Sequence, residues 1–141
     1  MVSAEYCEHI VGRLGELHKH LKMMQSRMLN DYQISLMEYH ILAVIMKTEN
    51  ASQSDIAEAL DVDKALVSRQ IRAMEQKELI KCETDPECRR KNVMLPSEKA
   101  LELMPELDEL HRRSLERVFS GIDEKQLEIF HKVLEGLVSK L

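Results

Sequence analysis

The sequence predicts a mainly α fold with one small β-hairpin, and three observations predict it. Only four Gly and three Pro punctuate 141 residues, so most of the chain is available to helices. Two short amphipathic runs between residues 52 and 77 are separated by three residues, Asp61-Val62-Asp63. Ile80-Lys81-Cys82-Glu83-Thr84 and Asn92-Val93-Met94-Leu95 then read as two short strands around a turn at Asp85-Pro86. Two helices joined by a tight turn, followed by a hairpin with a basic tip, form a winged helix-turn-helix.

Taken in order, residues 5–30 read as one helix. Ile10, Leu14, Leu17, Leu21, Met24 and Met28 recur at +4 and +3, a heptad seam longer than one small domain needs. Ser35 and Glu38 form a capping box that opens a second helix, to about Lys47. Leu36, Met37, Tyr39, Ile41, Leu42, Val44, Ile45 and Met46 make that helix apolar on nearly all sides. It is therefore expected to be buried, as a floor under the helix-turn-helix.

Ser52 and Asp55 form a second capping box. Ile56, Ala57 and Leu60 face inward behind it, and small Ala57 and Ala59 suit close approach of the next helix. Val62 can plug the corner, and Asp63 can cap the second helix of the pair. Val67, Ile71 and Met74 then share one face of a helix over residues 64–77. After the wing, residues 97–120 read as a long helix with Leu103, Leu107, Leu110, Ser114 or Leu115, and Val118 in one stripe. Pro105 is expected to kink it or displace its first turn, and Gly121 to end it. Asp123 and Gln126 resemble another capping box, before a last helix striped by Leu127, Phe130, Leu134, Leu137 and Leu141.

The chemistry lies on the face opposite Val67, Ile71 and Met74. It carries Lys64, Ala65, Ser68, Arg69 and Arg72. Arg can bond guanine bidentately, Ser can meet a base edge or a phosphate, and Ala admits a thymine methyl. Arg89, Arg90 and Lys91 at the hairpin tip can track phosphates or enter a minor groove. Ser52, Gln53 and Ser54, at the start of the first helix of the pair, complete the predicted DNA-contacting set.

The run LVSRQIRAMEQKELIK…DPECRRKNVMLPSEK resembles the MarR family of winged helix-turn-helix transcriptional regulators. The family's recognition helix has the pattern V-[ST]-R-x-[VI]-x-x-L-E-x-K-G-[LI]. Val67, Ser68, Arg69, Ile71, Met74, Glu75, Lys77 and Leu79 occupy it. Asp85 and Arg90 occupy the wing pattern D-x-x-D-x-R, and Leu95 begins L-T-x-x-G. Three departures stand out. Glu78 replaces the Gly that ends the recognition helix, so the helix is expected to end differently. Cys88 replaces the second wing Asp. Pro96 and Lys99 replace the Thr and Gly after the wing, with Ser97 available as a cap one residue late.

The resemblance implies N- and C-terminal dimerisation helices, over residues 1–34 and 96–141, around a DNA-binding domain at residues 35–95. It also implies a homodimer on a pseudo-palindromic double-stranded DNA operator. Ligand-responsive repression by a small lipophilic or aromatic effector comes with the same likeness. Met23, Met37, His40 and Met46 are candidates to line an effector pocket near the first two helices.

Composition bounds the alternatives. The net charge is −5, from 20 Lys and Arg against 25 Asp and Glu. Residues 52–95 hold eight cations and nine acids, so DNA affinity must come from placement and is expected to fall steeply with salt. No apolar run approaches the ~20 residues of a membrane span and no signal peptide is apparent, so the chain reads as cytoplasmic. Three Cys without CxxC spacing make neither a disulfide framework nor a zinc motif. Cys88, beside Arg89 and Arg90, is the one candidate thiol sensor, since nearby cations favour thiolate. Cys7 and Cys82 look ordinary. His40 with Glu38, plus His111 from the long helix, could converge on a metal, but no HxxxH pair or other compact ligand set supports it. No cofactor is expected. GxSxG, phosphate-loop and HExxH motifs are absent, so no enzyme is predicted. The remaining rival is a helical protein-interaction module that does not bind DNA, which would leave the basic wing without a purpose.

Overall fold

The structure is a computed structural model that describes residues 1–84, 87 and 92–141. Its elements are α1 (Ala4–Asn30), α2 (Leu36–Lys47), α3 (Gln53–Leu60), α4 (Lys64–Gln76), β1 (Ile80–Thr84), β2 (Asn92–Pro96), α5 (Glu98–Phe119) and α6 (Glu124–Val138). β1 and β2 pair antiparallel, from Ile80 opposite Pro96 to Thr84 opposite Asn92. The chain packs as two compact units, residues 1–111 and 112–141, and α5 runs from the first into the second.

Local chemistry starts most of these helices where the sequence predicts. The Ser35–Glu38 box opens α2 and the Ser52–Asp55 box opens α3, each with both reciprocal bonds made. Ser97 caps α5 by accepting from the Ala100 N–H at 3.1 Å. The exception is α6. Asp123 occupies the cap position but makes no side-chain cap bond, so the expected box with Gln126 does not form. Pro105 lies well inside α5, as expected, and of the two effects foreseen the first turn is not displaced. Gly121, at φ +81°, takes the left-handed conformation after α5 that Gly adopts without a Cβ penalty.

The core of the first unit is built around α2. Ile41 and Leu42 are fully enclosed, and Tyr39 and Ile45 nearly so. Leu29 of α1, Ile56 of α3, Val67, Ile71 and Met74 of α4, Met94 of β2 and Leu107 of α5 close on the same cluster. Burying each such side chain contributes about 1.5–3 kcal/mol, which is why an almost wholly apolar helix belongs at this position. Met46, at its C-terminal end, remains exposed. Ala57 packs inward as expected, but Ala59 faces solvent, so only one of the two small residues serves close approach. The wing is tied to this core by its own backbone: the Met94 N–H donates to the Ala51 carbonyl at 2.8 Å.

The end of α4 corrects an expectation. Glu78 adopts the left-handed conformation, φ +58°, that the missing Gly would have taken. The Leu79 N–H reaches the Met74 carbonyl at 2.9 Å and the Glu78 N–H reaches Glu75 at 3.0 Å. Those two bonds are a Schellman cap, closed by the buried apolar pair Met74 and Leu79. Tertiary burial of Leu79 thus overrides the backbone preference of Glu78. Glu78→Gly is predicted to stabilise the protein by about 1 kcal/mol, because a left-handed residue with a Cβ costs about 1–2 kcal/mol. Chemical denaturation measures it, and a lower midpoint for the variant would show that Glu78 carries no strain.

Candidate nucleic-acid interface

Three short-range devices set the α3–α4 corner. Asp61 turns left-handed at φ +52° and returns its N–H to the end of α3. The Val62 N–H donates to the Ala57 carbonyl at 3.0 Å, and its side chain packs partly buried against the core. Asp63 then accepts from the Ala65 N–H at 3.1 Å and starts α4. Val67, Ile71 and Met74 are at most 1% exposed. Three core positions at +4 and +3 fix the rotation of α4, and so decide what its other face presents.

That face carries Lys64, Ala65, Arg69 and Arg72, all exposed, with Ser68 half-buried at its edge. Among the described residues, no acidic side chain holds Lys64, Arg69 or Arg72 in an ion pair. Their donors are therefore available to an acceptor outside the chain. At the start of α3, Ser54 is exposed and Gln53 half-buried. Ser52 is buried, and its hydroxyl accepts from the Asp55 N–H at 3.1 Å. That bond holds the start of α3. Arg89, Arg90, Lys91 and Cys88, and the turn at Asp85-Pro86, lie outside the described residues.

The four effector candidates are not gathered into one described cavity. Met23 and Met46 are exposed, while Met37 and His40 are half-buried. Two described cavities, of about 280 and 340 Å3, lie instead beside the C-terminal end of α4. His40 belongs to a polar junction between α1, α2 and α5 that no sequence spacing announced. Tyr39 donates to Asp108 at 2.7 Å, and the ring of Tyr39 lies 5.8 Å from His40 and 5.9 Å from His111. Gln25 of α1 bonds His111 at 3.2 Å.

Burial lowers the pKa of His40, and the charges of His111 and Lys22 lower it further. The folded chain then binds a proton at His40 less readily than the unfolded chain does. Stability is predicted to fall as pH drops below about 6.5, down to the depressed folded value, and to be insensitive to His40 above it. His40→Gln is expected to flatten that limb in urea titrations across pH; an unchanged limb assigns the loss to other groups.

Glu38 does not join His40 and His111, because its carboxylate is turned to Lys77 at 2.8 Å. Among the described residues no group of three or more His, Cys, Asp or Glu could hold a metal. The Cys82 thiol is pushed up to about 11, by burial and then by its hydrogen bond to Glu75 at 3.2 Å. That keeps it protonated and poorly nucleophilic at neutral pH, in line with its reading as an ordinary strand residue. No described helix is long and apolar enough to cross a membrane.

The sequence profile of the MarR family matches residues 34–91. No curated protein sequence matches the chain. Among solved structures, the chain is similar to a protein of unknown function from Listeria innocua, at 24% identity and TM-score 0.77, over 97% of this chain and 96% of that one. It is similar to a MarR transcriptional regulator from Methanosarcina mazei, at 20% identity and TM-score 0.82, over 94% and 96% of the two chains. A putative MarR-like transcription regulator from Bacillus cereus superposes with TM-score 0.87 at 16% identity, over 98% and 99%. At such identities the likeness establishes the fold, and it extends along nearly the full length of each chain.

Proposed function

From its place in the MarR family, to which residues 34–91 belong, we propose that the chain is a dimeric DNA-binding transcriptional regulator. In this reading it is a repressor that releases its operator when a small effector binds. The observation that carries the DNA-reading role is the face of α4. Three buried residues turn Lys64, Ala65, Arg69 and Arg72 outward together beside Ser68. Gln53 and Ser54 at the start of α3, and Arg89, Arg90 and Lys91 in the sequence of the wing, would add further contacts. Phosphate contacts position such a face and base-edge contacts give it specificity.

Exposed apolar surface supports the homodimer. Tyr6, Ile10, Val11 and Leu17 of α1 are exposed, and α6 has no buried residue at all while presenting Ile129, Phe130, Val133, Leu137 and Val138 to solvent. Apolar surface of that extent on terminal helices marks an association site. Two copies would set their recognition helices about 34–36 Å apart, one turn of duplex between half-sites. The effector, a small lipophilic or aromatic compound near Met23, Met37, His40 and Met46, would weaken DNA binding only by its differential affinity for the free and bound spacings.

The test is selection of bound sequences from a random duplex pool, followed by a mobility-shift titration. Wild type is expected to enrich a pseudo-palindrome, and Arg69→Ala to bind it about tenfold more weakly, the lower end of the worth of a bidentate base contact. Equal binding by both proteins removes Arg69 from the reading face. Sedimentation equilibrium is expected to return twice the 16.4 kDa chain mass; a species of single mass would refute the dimer.

A further inference from the structure

The C-terminal end of α4 is held from two sides, and one of the holds is a buried charge. The Lys77 ammonium donates to the Gln33 carbonyl at 2.9 Å and to Glu38 Oε1 at 2.8 Å. Gln33 lies in the α1–α2 corner in the left-handed conformation, φ +56°. The Glu38 side chain is 4% exposed, and the same Oε1 also accepts from the Ser35 N–H at 3.1 Å. Its Oε2 has no hydrogen-bond partner. One carboxylate thus caps α2 and receives the end of α4. On the other side, the Lys99 ammonium donates to the Lys77 carbonyl at 3.1 Å, Ser97 Oγ to the Glu78 carbonyl at 2.6 Å, and the Ser97 N–H to the Leu79 carbonyl at 3.0 Å.

We infer that Lys77 is a positioning residue for DNA reading: by tying the end of the recognition helix to Glu38 and Gln33, it sets the angle at which Arg69 and Arg72 meet the duplex. The inference rests on the DNA-reading proposal. The physical case is one of leverage. Apolar contacts of Val67, Ile71 and Met74 fix the rotation of α4 but tolerate a swing of its axis, because packing is non-directional. Charge-assisted bonds at one end are directional and short, and resist that swing. Lys77 lies roughly one and a half turns of helix beyond Arg72 and two beyond Arg69. A small displacement at the cap therefore moves both guanidinium groups relative to the base edges they must match. A specific contact is sensitive to that displacement, whereas a non-specific phosphate contact is not.

The decisive variant in the full chain is Lys77→Met/Glu38→Gln. Glutamine still completes the cap with Ser35, and methionine keeps the aliphatic reach, so the tie is cut without leaving a buried charge unpaired. Operator duplex selected with wild type and random duplex are titrated across a salt series below the melting temperature of every variant. The expected result is an operator Kd raised about tenfold, with random-duplex affinity and salt slope both unchanged. Glu38→Gln alone keeps an oxygen for Lys77 and is expected to bind the operator as wild type does. Two results overturn the inference. One is an operator Kd equal to that of wild type, which reduces Lys77 to a stability role. The other is a salt slope reduced by about one with random-duplex binding weakened alike, which makes Lys77 a phosphate contact. A wild type that selects no sequence removes the DNA-reading proposal and this inference with it. A wild type that selects one, matched by the double variant, removes the positioning role alone.

Discussion

Lys77→Met on its own is expected to lower the unfolding free energy by about 3 kcal/mol, at the bottom of the range for breaking a buried pair. The partner left behind decides the size. Glu38 is 4% exposed at its side chain, and one of its oxygens already lacks a partner. Without the ammonium, the Ser35 N–H is the one hydrogen bond remaining to that carboxylate among those described. The Lys77 side chain is itself 41% exposed, so water can partly take its place, which keeps the loss at the lower end. Adding Glu38→Gln removes the stranded charge and is expected to recover most of the loss, giving strong coupling in a double-mutant cycle. Urea unfolding of the four proteins measures it. Additive single effects, or a loss under about 1 kcal/mol for Lys77→Met, would show that the Glu38 carboxylate is solvated after all.

Ser97→Ala is expected to cost about 2–3 kcal/mol, the sum of a lost helix cap and a stranded carbonyl. Ser97 is 7% exposed and uses its hydroxyl twice. It accepts from the Ala100 N–H, and it donates to the carbonyl of Glu78, the residue held left-handed at the end of α4. Alanine loses both bonds at once and supplies no replacement donor or acceptor. Thermal and urea unfolding report the loss, and Ser97→Thr, which keeps the hydroxyl, is expected to restore most of it. A loss below about 0.5 kcal/mol would mean that water satisfies both groups, and that the junction of α4 with α5 does not depend on this side chain.

Much of this architecture was legible in one dimension. Ser35 with Glu38 and Ser52 with Asp55 announce α2 and α3, because a capping box is made within four residues. Val67, Ile71 and Met74 announce both α4 and its outward face, because helical spacing leaves no choice about which side chains oppose them. Asp123 with Gln126 shows the limit of the same signal: the residues are present, but no side-chain cap bond is made. Of the candidate interface, the α4 residues were readable from the sequence. Ser52 marks the boundary: its cap bond to Asp55 was legible in the spacing, whereas its burial was not.

The chain's own order of residues determined the helices, the hairpin and the polar stripe on α4, since each depends on neighbours within a few positions. Tertiary structure alone decided that Lys77 meets Glu38 across 39 positions, that Tyr39 meets Asp108 across 69, and that Glu78 accepts a conformation its side chain disfavours. The reason is physical. Periodicity and capping are written into local backbone geometry, whereas a buried charge finds its partner, and a strained residue its compensation, only after the apolar core around α2 has brought distant segments together.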